Sequence, residues 1–453
     1  MRTASTILLK FMPFWAFLLF FKFAATLHYT LLAPFGEQLL PLWIVGILIG
    51  GESLIQVVFD LPAGYLLDYF GYRRLLKYTT AFFMVAALCI ALGLTQTTYL
   101  LTVFFSIFGG LFYMPGMNAY ILSHADEKES GRFFSIRDIS NSIGVVGASI
   151  SLPFLLLLSP KIAGVALLVL LLVSFCFLLL SPADKQLPPR HERTTHQRRH
   201  ARGHSLRTLW HTMQRLNPAS GMLVLLTFAG SLFYGIIWFT VPLVIAQEQA
   251  GAGLLGIGLG VFDFSIVVLG YLIGRMADKG DKRIFVFFGL LIFALCGMAA
   301  GANLGILFIF FGFFATAGDE MAGVSLWSWL HHLDREHDSD GTVSGVITLF
   351  EDLGYGIGPI LAGVLYVVAG PQLTIAVGAL PILIVWVLYY ALVHKHFPYE
   401  VLYALVPQRP HRRRQPPTTA RRATLERCDS CGTPPSGDLL ELLKELLLPG
   451  LIG

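Results

Sequence analysis

Charge is what this chain has least of. Asp, Glu, Lys and Arg supply 13% of its 453 residues, against about 25% in a typical soluble domain. Hydrophobic residues fill 55%, and the mean hydropathy is +0.69. So few charges cannot dress a water-facing surface, which excludes an ordinary soluble globular domain. Cysteine is scarce as well, with five in all. Cys89, Cys176 and Cys296 fall in apolar stretches, where the residue behaves as a small hydrophobe. Cys428 and Cys431 make one Cys-x-x-Cys, half a zinc site at most. Coincidence and a metal or redox use both stay open for that pair. The chain also lacks a Gly-x-x-x-x-Gly-Lys-Ser/Thr loop, a His-Glu-x-x-His and a Gly-x-Ser-x-Gly. ATP drive, zinc hydrolysis and a serine nucleophile lose their usual carriers. No enzymatic activity, cofactor or bound metal is expected.

What is present is long apolar sequence. A bilayer crossing takes about 20 mostly apolar residues. Twelve such spans can be read: 11–33, 40–67, 74–95, 98–123, 132–158, 161–181, 219–246, 252–277, 284–303, 305–330, 342–368 and 372–394. Gly and Pro inside them do not argue against helix, because neighbouring helices satisfy the backbone groups they free. The expectation is an all-α membrane protein. Lys and Arg gather in the loops after spans 2, 6 and 8, as in Arg73, Arg74, Lys77, Lys279, Lys282 and Arg283. The loops after spans 1, 3, 7, 9 and 11 have neither residue, and the loop after span 5 has only Lys161. Such alternation places both termini in the cytoplasm; the membrane expected is the plasma (inner) membrane. Span 1 is too long for a cleaved signal peptide, holds Lys22 and lacks a small-x-small site. The net charge of +4 is concentrated in the central loop, which carries Lys185, Arg190, Arg193, Arg198, Arg199, Arg202, Arg207 and Arg215. That loop reads as a topology determinant touching anionic headgroups; no nucleic-acid partner is expected.

The chain divides into a first half at 1–181, a basic linker at 182–218, a second half at 219–396 and a tail at 397–453. The halves repeat each other. Asp60-Leu-Pro-Ala-Gly64-Tyr-Leu-Leu-Asp68-Tyr-Phe-Gly71-Tyr-Arg73-Arg74 ends one apolar run, and Gly274-Arg-Met-Ala-Asp278-Lys-Gly280 ends another about 210 residues later. Gly131, Asp138, Ile143 and Gly144 fall at the same offsets as Gly345, Asp352, Ile357 and Gly358. Internal symmetry of this kind marks carriers with a solute site at the repeat interface. The tail mixes seven Arg residues between 409 and 427 with Pro and Thr, a composition that cannot bury a core. Residues 437–448 then read as a short amphipathic helix with Leu439, Leu442, Leu443 and Leu446 on one face.

These pieces resemble the major facilitator superfamily over residues 10–395. The resemblance rests on Gly64-x-x-x-Asp68-x-x-Gly71-x-Arg73-Arg74, its weaker copy at Gly274 and Asp278, the six-plus-six spans and the basic middle loop. The phrase beginning at Asp60 looks most like the drug–proton antiporter branch. Ser106 stands four residues before Gly110, where that branch usually has Arg, and span 5 has no Gly-Pro pair. The resemblance implies two pseudo-symmetric six-helix bundles and secondary transport of a small solute by alternating access, with proton-coupled efflux as the leading form and a monomer as the working unit. A facilitator-type uptake carrier and a non-transporting sensor or assembly protein on the same fold are the alternatives. In the family fold the end of span 2 lies beside the start of span 11. Asp68 would then rest on a helix start, which favours an anion, and Asp278 would do the same at span 5 near Arg137. Gly64 allows close helix approach, Gly71 a tight turn, and Arg73 and Arg74 a headgroup anchor.

Charged residues within spans are costly and tend to face a cavity or a partner. Arg137 and Glu351 sit at equivalent places in the two repeats with opposite sign, beside Asp138 and Asp352. They read either as a direct pair between halves or as local pairs, Arg137 with Asp278 and Glu351 with Arg73. Lys22 and Glu52 fall at similar depth and could neutralise each other; Lys22 could instead meet an anionic solute. Asp60, Asp263, Asp319 and Glu320 complete the deep acids. The resemblance makes spans 1, 4, 7 and 10 line the path, which favours Asp319 or Glu320 as the cavity carboxylate. Adjacent helical residues diverge by about 100°, so only one of that pair is expected to face it. Tyr113, Tyr234 and Trp238 are candidate walls, with Tyr29 and His28 near the other end of span 1. The acids outnumber the single deep base, which points to a cationic or neutral solute or to proton coupling.

Overall fold

The computed structural model describes residues 11–124, 130–182, 218–247, 252–279, 281–302, 304–333 and 340–396. The linker at 183–217 and the tail at 397–453, with its Cys-x-x-Cys, lie outside them. The helices are α1 Met12–Glu37, α2 Leu42–Phe70, α3 Tyr72–Leu92, α4 Gln96–Leu111, α5 Tyr113–His124, α6 Ser130–Leu156 and α7 Pro160–Leu180 in the first half. The second half holds α8 Pro218–Gln247, α9 Ala252–Lys279, α10 Lys282–Ala302, α11 Ile306–Leu333, α12 Asp340–Gly378 and α13 Leu380–His396. No strand occurs among the described residues.

Three local features decide how these helices count as crossings. Gly71, at φ 88°, is the single residue between α2 and α3, a left-handed turn that only glycine takes without strain. Span 4 is not one helix but two, broken at Phe112. Pro115 has no N–H to give the Leu111 carbonyl four residues back, so the ladder cannot run through. The 47-residue apolar segment Val346–Leu392 is too long for one crossing, and it breaks at Gly370, φ 78°. Pro371 follows and bars the helical conformation to the residue before it. Ten segments among the described residues are long and apolar enough to cross, and Leu42–Val58 is a shorter apolar helix. With the long segment divided at Gly370, these make the twelve expected crossings.

The two halves pack alike. In the first, α1 lies on α6, α3 on α4 and α3 on α7; in the second, α8 lies on α12, α10 on α11, and α10 on the chain beyond Gly370. Between halves, α2 lies on α12 and α9 on α6. Exchanging the halves turns each of these contacts into the other, which is the pseudo-twofold relation read in the sequence repeat. Gly144 and Gly358, matched in the repeat, do the same job. A Cβ on Gly144 would press on the Leu19 carbonyl of α1, and one on Gly358 on the Leu232 carbonyl of α8. Small residues at such crossings let helix backbones close up in lipid, where hydrophobicity gives no drive.

Burial is greatest in α1 and α8. The apolar windows of α1 and α8 are 67% and 72% buried, against 33% for α7. Ile162, Val165, Val169 and Leu172 of α7 are exposed. A helix apolar all round with an exposed face belongs against lipid. Inside, Phe14, Phe17, Phe21 and Phe83 fill the first half, and Phe233, Phe262, Phe293 and Phe308 the second.

Candidate functional site

The helix ends carrying Arg73, Arg74, Lys282 and Arg283 define a basic face. At the opposite face the two halves are closed on each other. Gly46 and Gly50 of α2 lie against the backbone of α12, where a Cβ on Gly46 would come within 2.5 Å of the Pro359 carbonyl oxygen. Gly256 of α9 sits on Pro153 and the Ser149 carbonyl of α6. A hydrogen-bonded clasp spans the halves there. Gln247 Nε2 at the end of α8 donates to Glu37 Oε1 at the end of α1 (2.7 Å), and Tyr366 OH of α12 donates to Gln247 Oε1 (2.7 Å). Sequence reasoning missed this clasp. The signal was available: Glu37 and Gln247 are separated by the same 210 residues as Gly64 and Gly274.

Beneath this seal lies a cavity of about 360 Å³, lined from both halves. Helices α1 and α2 give Lys22, Thr26, Tyr29, Glu52, Ser53 and Gln56; α3, α4 and α5 give Phe83, Gly110 and Tyr113; α8, α9 and α12 give Trp238, Asp263, Glu351, Asp352 and Tyr355. Four carboxyl groups thus share the cavity with one ammonium. Lys22 of the first half lies within electrostatic reach of Asp263 and Glu351 of the second. Lys22 and Glu52 both line the cavity, and among the described residues no ion pair joins them. Glu52 instead accepts a hydrogen bond from Tyr29 OH at 2.8 Å. Among the described residues no Lys or Arg forms an ion pair with Glu52.

Several expected roles move. Glu351 faces Lys22 rather than Arg137 or Arg73, and with Asp352 it lines the cavity rather than a face. Arg137 Nε donates to Asp138 Oδ1 (2.8 Å), and its guanidinium also donates to Asn118 Oδ1. Arg73 donates to the carbonyls of Leu178 and Leu179 at the end of α7, where orphan carbonyls accept a cation well. It therefore ties two helices together instead of serving only as a headgroup anchor, while Arg74 is exposed. Asp319 is held by Tyr234 OH at 2.9 Å, and neither residue lines this cavity, nor does Glu320. The resemblance favours Asp319 or Glu320 because it puts span 10 on the path; the described part of α11 packs on α10, α9 and α8. Tyr113 and Trp238 line the cavity, with Tyr113 OH donating to Asn141 Oδ1 at 3.0 Å. His28 is buried, its Nε2 2.6 Å from Ser106 Oγ. The side chains of Asp60, Asp68 and Asp278, and the surroundings of Gly64, lie outside what is described.

A helical membrane protein with two repeats, a cavity between them and closure at one face invites comparison with known carriers. The model of the Major Facilitator Superfamily matches residues 3–356 and, in a second match, 223–449. This chain belongs to the Major Facilitator Superfamily. It is a membrane transporter rather than an enzyme. No curated protein matches the chain significantly. Among solved structures, the superfamily member is similar to a POT family transporter in complex with a thioalcohol-conjugated peptide. The TM-score is 0.62 at 12% identity, over 87% of this chain and 96% of that one. It is also similar to a mutant of the nucleoside transporter NupG, with TM-score 0.62 at 13% identity over 84% of this chain and 98% of that one. At such identity these likenesses speak for the fold alone.

Proposed function

We propose that this superfamily member is a secondary active transporter of a small cationic or neutral solute, coupled to protons and working by alternating access as a monomer. The observation that carries the reading is the central cavity, where one ammonium meets four carboxyl groups drawn from both halves. Charge this deep is costly in a membrane and is kept for a solute or ion path. Placing Lys22 in one half and Asp263 and Glu351 in the other makes their attraction depend on how the halves sit. A solute or proton that alters those charges therefore changes the balance between the two states.

In this reading the halves 1–181 and 219–396 rock as two bodies. The basic face is cytoplasmic by the distribution of Lys and Arg, both termini lie inside, and the membrane is the plasma (inner) membrane. Asp68 and Asp278 latch the cytoplasmic face by resting on the starts of α12 and α6, each contact contributing up to about 2 kcal/mol. Arg137 with Asp138 supports that latch. Export is the direction favoured by the likeness of the Asp60–Arg74 phrase to the drug–proton antiporters.

The test is flux in liposomes containing the purified full chain and a pH-sensitive dye. Organic cations, neutral solutes, a peptide and a nucleoside are added in turn under an imposed pH gradient. A cationic or neutral solute is expected to move protons and to accumulate only while the gradient stands. Accumulation that is the same with and without the gradient would contradict the coupling.

A further inference from the structure

Glu52 differs from every other acid in the described structure. Its side chain is 2% exposed, the one Asp or Glu counted among the buried residues. Oε1 accepts from Tyr29 OH. Oε2 is buried without any hydrogen-bond partner. The other groups facing it are uncharged or acidic in kind. Tyr29 comes from α1 and Tyr99 from α4, and the α12 residues opposite this stretch of α2 are Gly356, Pro359 and Ile360. The one cavity ammonium, Lys22, is attracted by Asp263 and Glu351, and among the described residues it forms no ion pair with Glu52.

An ionised carboxylate with an orphan oxygen and no cation pays the full cost of desolvation. A neutral carboxyl with its hydroxyl on Oε2 and its carbonyl at Oε1, facing Tyr29, avoids most of that cost. Glu52 lies about half a turn beyond Gly50, so it points away from α12 and toward Tyr29 of α1, in the wall of the central cavity. A shift of α2 against α1 would open Oε2 to that cavity. We propose that Glu52 is the proton-carrying residue of this transporter, holding a proton on Oε2 in the packing seen here and exchanging it with water of the cavity when α2 shifts against α1. In the exchange the O–H bond at Oε2 breaks, the proton passes to water, and Tyr29 keeps its hydrogen bond to the carboxylate that remains. The residue's role in coupling rests on the proton-driven reading above; its protonation does not.

The test is infrared spectroscopy of the full chain in lipid at neutral pH, which needs no solute. A protonated-carboxyl band is expected. It should disappear in Glu52→Gln, persist in Asp263→Asn and Asp319→Asn, and move to higher frequency in Tyr29→Phe, which removes the donor on Oε1. A band unchanged in Glu52→Gln, or one unmoved in Tyr29→Phe, would overturn the proposal. The Tyr29→Phe arm stands even if Glu52→Gln fails to fold. A Glu52 band in a protein whose flux ignores the pH gradient would sink the coupling and leave the protonation; proton-driven flux with no such band would overturn the proposal for Glu52 and leave the proton-driven reading.

Discussion

Lys22 brings a positive charge into the central cavity. It is the ammonium among the cavity acids, and its two acidic neighbours belong to the other half. Groups joined in one charged network couple by about 0.5–3 kcal/mol in double-mutant cycles. Lys22→Gln, Asp263→Asn and the double variant should therefore give non-additive losses of thermal stability, with a coupling of about 1–2 kcal/mol. Strictly additive losses would show that the two groups do not meet. The sequence revealed that Lys22, Glu52 and Asp263 were deep, because a charge inside an apolar run is conspicuous. It could not reveal who faced whom. Depth along a helix fixes only one coordinate; the other is the rotation of the helix, which depends on packing. Thus Glu52 turned to Tyr29, Glu351 moved from an expected face to the cavity, and Asp319 was closed off by Tyr234.

At the scale of helices, the seal is made by glycines that let backbones touch. Gly256 of α9 is pressed on Pro153 and Ser149 of α6. Overpacking such a contact costs about 1–3 kcal/mol. Gly256→Leu is expected to drive the halves apart at this face, because the side chain has no space while α6 and α9 remain packed. In a chain freed of its native cysteines, Ser149→Cys, now buried, should be alkylated by a membrane-impermeant thiol reagent roughly 5- to 100-fold faster when Gly256→Leu is added. An unchanged rate would mean that the α6–α9 contact does not hold this face shut. Most helices were legible as apolar runs bounded by charge. The breaks at Phe112 and Gly370 came from Pro115 and Pro371, which remove backbone donors or forbid the helical conformation without changing hydropathy.

At the scale of the molecule, the duplicated halves explain why one set of contacts can be exchanged for another. The pairs α2–α12 and α9–α6 are images of each other, and the clasp of Glu37 with Gln247 joins equivalent ends of α1 and α8. The repeat was visible in the sequence because Gly and Asp recur at matched offsets, and the family match agrees with it. The clasp was not, since a lone Glu and a lone Gln at helix ends carry no pattern until the 210-residue offset is applied to them. The most direct test of alternating access is to lock this clasp. In the cysteine-free chain, Glu37→Cys and Gln247→Cys are bridged by a short, reducible bifunctional thiol reagent, and solute flux into liposomes is measured before bridging, after it and after reduction. The account predicts that bridging abolishes flux and that reduction restores it. Full flux through the bridged protein would contradict it.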